Sequence, residues 1–169
     1  TTASNNTAVG AYALLANTTG TENVSVGALA LDANTSADQN VAVGYCSLTS
    51  NTTGASNTAV GHKSLACNTT GSVNTAIGNQ TMFTNTTGSN NTALGRTALY
   101  TQTTANSNTA VGYETMYATT TGGSNTALGK TALDANTTGA ENVAVGLDAL
   151  GTNCLLYTSP SPRDGLLSR

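Results

Sequence analysis

Charge is what this chain has least of. Asp, Glu, Lys and Arg make up 8% of its 169 residues, against about 25% in an ordinary soluble domain. Trp is absent, aromatics reach 4%, and there are two prolines, three cysteines and one histidine. Each shortage excludes something. Five scattered basic residues and a net charge of −3 leave no patch to neutralise phosphates, which excludes nucleic acid as the main partner. No apolar run approaches the ~20 residues of a bilayer span, so no membrane insertion of this segment is expected. No signal peptide is legible in a chain that opens at Thr1. With so few large apolar side chains a broad core is excluded. A disordered chain is excluded too, because it would carry more net charge and fewer periodic aliphatics.

What the chain does have is one phrase, repeated. Asn recurs at 6, 23, 40, 57, 74, 91, 108, 125 and 142, and Gly four residues after each, always at an interval of 17 residues and with no insertion. Numbered from that Asn, the unit reads N-[TV]-[AS]-[VIL]-G-x-x-[AST]-[LM]-x-x-[NQT]-T-[TS]-[GA]-x-x. A strict short period marks a solenoid, in which each coil stacks on the last. The expected fold class is all-β, a β-solenoid or β-roll of nine 17-residue coils over residues 1–153. Residues 1–5 fit the end of a preceding unit, so a longer array is expected.

Within a unit, positions 1 to 4 read as a strand, with positions 2 and 4 on one face by period-two alternation. Gly at position 5 ends the strand. Positions 5, 8, 9 and 12 have the spacing of a helical face, which predicts one short helical turn per coil, with a second strand as the alternative. Asn-Thr-Thr-Gly then turns the chain back. Two inner columns are expected: position 4, from Val9 to Val145, and position 9, from Leu14 to Leu150. Nine coils at ~4.8 Å make a rod of roughly 45 Å. Position 3 is always Ala or Ser, which suggests close packing against either the coil's own turn or another chain. Asn23, Asn40, Asn57, Asn74, Asn91, Asn108, Asn125 and Asn142 suggest a stacked amide ladder, although Asn also simply favours turns.

These residues resemble the head repeats of trimeric autotransporter adhesins, with their Asn-Ser-Val-Ala-Ile-Gly strands. They are still more similar to the Asn-Thr-Ala-Val-Gly-x-x-Ala-Leu-x-x-Asn-Thr-Thr-Gly arrays of phage and bacterial tail-fibre-type proteins. The resemblance implies a homotrimer, a place outside the cell on a virion fibre or bacterial surface, and a spacer or adhesive role toward host-surface glycans or proteins. The unit length departs from the roughly 14 residues usual in adhesin heads, so the handedness and strand number of those heads do not carry over.

Residues 154–169 break the pattern. Cys154 to Asp164 can be encoded by codons that resemble a transposase-type adapter used in short-read DNA sequencing, and Gly165 to Arg169 fit the index of such an adapter and the bases beyond it. The tail is therefore expected to be non-native read-through. Without it, seven acidic and three basic residues remain, a net charge of −4, with Cys46 and Cys67 in different columns.

Chemistry is sparse. His62 stands alone at a variable position beside Lys63, and no Ser-His-Asp set can be assembled. Glu22 and Asp38 fall on adjacent coils, thin support for a glycan-degrading tailspike-type enzyme, which needs a set carboxylate separation and a cleft. No enzyme activity, cofactor or metal is expected. Binding has the better case. Aromatics occupy variable positions: Tyr45 and Tyr113 at position 6, Tyr100 and Tyr117 at position 10. These four are the candidate ligand contacts, able to stack on sugars or fill a shallow protein contact. The alternative is ice binding by the threonine columns at positions 13 and 14.

Overall fold

The computed structural model describes residues 2–151; the tail at 154–169 lies outside the described residues. The chain is an all-β solenoid with no helix among those residues. Each coil contributes one three-residue strand: β1 Thr7–Val9, β2 Val24–Val26, β3 Val41–Val43, β4 Thr58–Val60, β5 Thr75–Ile77, β6 Thr92–Leu94, β7 Thr109–Val111, β8 Thr126–Leu128 and β9 Val143–Val145. They form one parallel sheet in chain order. The register is one repeat throughout, so that Thr58 sits against Thr75, Ala59 against Ala76 and Val60 against Ile77.

Stacking fills the interior with very little. In the fourth coil Ala59, Ser64 and Leu65 are fully buried, closed at either side by the equally buried Asn57 and Asn68. One bulky side chain per layer, the Leu or Met of position 9, is all that fits, and Leu31 to Met116 are buried in this way. The position-4 column, expected inside, lies outside: Val9 is 58% exposed, Leu94 45%, Leu128 49% and Val145 66%. The reason is steric. Opposite the Leu of position 9 there is room only for a methyl, so Ala of position 3 turns inward. Alternation then sends positions 2 and 4 outward together. Position 3 is small because it packs against the turn of its own coil.

The helical turn is also overturned. Positions 7 and 9 adopt left-handed backbone angles in every coil, as in Lys63 (φ 54°) and Leu65 (φ 53°), and alternating hands cannot propagate a helix. The amide groups bond to neighbouring coils instead. Leu65 N–H donates to Thr81 O of the next coil at 2.9 Å, and Lys63 N–H to Tyr45 O of the previous one at 2.9 Å. Backbone polar groups that a helix would satisfy internally are satisfied along the rod.

Candidate functional site

The position-1 asparagines form the best-ordered side-chain column. In all eight junctions the backbone N–H of one Asn donates to Oδ1 of the Asn one coil before, at 2.8 to 3.0 Å. The side-chain Nδ2 of Asn74 donates to Asn57 Oδ1 at 3.1 Å and to Gly88 O at 2.8 Å. Asp could not make the second bond, because its carboxylate has no N–H to give. Asn23, Asn40, Asn57, Asn74, Asn91, Asn108 and Asn125 are fully buried, and Asn142 is half-buried. A second amide column, at position 12, has no counterpart in the sequence reading, which assigns that Asn to a turn. Asn68 Nδ2 donates to Asn51 Oδ1, and Asn85 Nδ2 to Asn68 Oδ1, both at 2.8 Å. The signal for it is nonetheless present: position 12 stays amide-bearing at Asn17, Asn34, Asn51, Asn68, Asn85, Gln102 and Asn136, more strictly than a turn requires.

Positions 2 and 4 make the outer face of the sheet. They carry only Thr, Val, Ile and Leu, so a strip without charge runs the length of the rod. Beside it lies the position-6 column, where Tyr45 stacks on His62 with centroids 5.6 Å apart. Asn79 Nδ2 lies 3.1 Å from His62 Nδ1; with Nδ2 donating, the imidazole proton is on Nε2. Farther along the same column, Arg96 lies over the ring of Tyr113 at 5.6 Å. A hydrogen bond with the neighbouring Glu114, then burial, then the Glu114 charge hold the Tyr113 phenol above its ordinary range, with Arg96 opposing. Tyr45 is shifted upward too, chiefly by its bond with Cys46.

Tyr100 and Tyr117 stand in the other aromatic column. Phe83, Tyr100 and Tyr117 form a continuous stack, with centroids 5.5 and 5.2 Å apart and planes 10° and 1° from parallel. Both faces of Tyr100 are therefore covered, and it offers a ligand only its edge and hydroxyl. The structure thus divides the four candidate tyrosines between two columns and brings only Tyr100 and Tyr117 into contact.

The candidate carboxylates and the position-13 threonines find partners within the rod. Glu22 accepts from Gln39 Nε2 at 3.0 Å, while Asp38 accepts from Thr21 N–H at 2.6 Å, so the two carboxylates take separate partners. At position 13, threonine hydroxyls donate to the carbonyl of the next coil, as from Thr69 to Thr86 O at 3.0 Å. Cys46 and Cys67 are free thiols, and burial pushes Cys67 up. Among the described residues no three His, Cys, Asp or Glu side chains come together as a metal site. No protein-family model, no curated protein and no solved structure matches the chain.

Proposed function

We propose that this chain is a stiff, self-associating segment of an extracellular fibre, borne on a phage tail or a bacterial surface, which holds other domains at a distance. One observation carries the reading: the uncharged aliphatic column at position 4 faces outward through nine consecutive coils and none of it is buried, with Val9, Ile77, Leu94, Leu128 and Val145 each more than a third open to solvent and Val26, Val43, Val60 and Val111 half-buried. A face of this kind marks an interaction surface. Its neutrality suits a copy of itself, since like columns in register would repel if charged. At about 40 Å by 10 Å the strip covers roughly 400 Å², about half of what one partner buries in a stable interface. The flanking columns add to it. Three such faces on a common axis would hide the strip, in agreement with the homotrimer that the resemblance implies.

Adhesion is the second part of the proposal. The aromatic columns repeat along the rod and suit weak, multivalent contact with host-surface glycans or proteins. The ring edges and hydroxyls of Tyr45, Tyr100, Tyr113 and Tyr117 would make that contact. The ice-binding alternative is less well supported, because the hydroxyls of position 13 are already donated within the rod, which leaves position 14 as a single free column.

Light scattering coupled to size exclusion tests the self-association. The expected result is a trimer that becomes a monomer, with unchanged far-ultraviolet circular dichroism, when Val60 and Val111 are both replaced by Lys. A parent chain that stays monomeric at about 100 µM, far above the micromolar range of an ordinary association, would remove the proposal.

A further inference from the structure

The inner amide column at position 12 runs from Asn17 to Gln102 and then stops. Asn34, Asn51, Asn68, Asn85 and Gln102 each donate to the amide oxygen one coil before, at 3.1, 3.3, 2.8, 2.8 and 3.2 Å. The seventh coil places Thr119 in the column. Its side chain is fully buried, and its Oγ1 has no hydrogen-bond partner. The shorter residue reaches neither neighbour. Gln102 Oε1 accepts from Asn108 Nδ2 at 3.1 Å, and among the described residues the Asn136 side chain bonds within its own coil, to Gly139.

Among the described residues the junctions on either side of Thr119 lack the inner amide bond, and they are not equal. Between the sixth and seventh coils the Tyr100–Tyr117 stack, the Arg96–Tyr113 contact and the Thr101 hydroxyl, 2.6 Å from Tyr117 O, still tie the layers. Between the seventh and eighth, the ring column ends, because Asp134 succeeds Tyr117 at position 10. What remains there is the pair of ladder bonds from Asn125 N–H and Nδ2 to Asn108 Oδ1, two threonine hydroxyls on carbonyls and the backbone.

We propose that the junction between the seventh and eighth coils is a built-in weak joint, at which residues 125–151 open from the rod as one cooperative unit while the preceding coils stay folded. The stability of a linear stack is a sum of coil terms and junction terms, so the stack parts where the junction term is smallest. A buried hydroxyl without a partner subtracts from that term. Opening in contiguous units below the global free energy is the general behaviour of such structures.

Native-state hydrogen exchange on the 169-residue chain tests this, by comparing amides of β8 with those of β2, each one coil in from an end strand of the sheet. The amides of β8 should exchange together, about tenfold faster than those of β2. Thr119→Asn, which restores the amide, should slow β8 about tenfold and leave β2 unchanged. Asn51→Thr places the same hydroxyl in the intact part of the column and should speed β2 by a similar factor without touching β8. Equal protection of β2 and β8 in the parent chain overturns the joint, and so does a Thr119→Asn chain with unaltered β8 exchange. An Asn51→Thr chain with unaltered β2 exchange overturns its cause.

Discussion

Left-handed backbone angles at non-glycine residues number 27 among the described residues, and all fall at positions 7, 9 and 17 of the unit. Each costs of order 1 kcal/mol, offset by amide bonds to the coils on either side. The cost differs by residue. Asn90 at φ 61° is a good fit, whereas Val73 at φ 59° is β-branched and 56% exposed, an arrangement with steric strain and little burial to offset it. Val73→Asn should therefore stabilise the rod by about 0.5–1 kcal/mol, read as a higher urea midpoint at unchanged slope. Gly78 shows the opposite limit. At φ +139° a Cβ would lie 2.6 Å from the carbonyl oxygen of Gly95 in the next coil. Backbone cannot retreat there without losing the register, so Gly78→Ala should cost about 3 kcal/mol or more, measured in the same denaturation series.

At the scale of the element, the coil is held at both sides by amides and only thinly by its core. Replacing Asn74 by Ala would leave the Asn91 N–H without its acceptor and the Gly88 carbonyl with Asn85 Nδ2 as its remaining donor. That predicts a loss of about 1–3 kcal/mol and, in exchange experiments, faster opening confined to β4 to β6. The period, the strand, the glycine after it and the buried Leu column are all legible in the sequence, because each depends on repetition alone. Three things are not. Whether position 3 or position 4 turns inward depends on the width of the coil, which no spacing in the sequence records. The helical spacing of positions 5, 8, 9 and 12 describes which residues are buried, but a left-handed turn buries Leu65 and Asn68 equally well. The inner amide column is concealed inside a phrase that also spells a turn. For the tyrosines, spacing alone places Tyr100 and Tyr117 in one column, and the structure adds that each covers a face of the other.

At the scale of the molecule, every junction repeats the same pairs, with each strand residue against its counterpart 17 positions on, from β1 to β9. Removing residues 57–73, one whole unit, brings Asn74 onto Asn40, keeps the strand register and the Asn ladder, and loses only surface contacts such as the Tyr45–His62 stack. The shortened rod should keep its circular dichroism, with a melting temperature within a few degrees of the parent. Removing 57–72 instead shifts the pleat by one residue and turns the Ala column outward beyond the cut, and it should abolish the cooperative transition.

That sameness of junctions has a consequence for how such a gene can change. A gene made of like units invites unequal recombination, which adds or removes whole units in frame. In most proteins that event destroys a core. Here the strand register and the outer Asn ladder are common to every junction, so the length of the rod can vary between close descendants without a new interface having to be invented. Reach would then be set by copy number and tuned faster than point mutation could tune any surface.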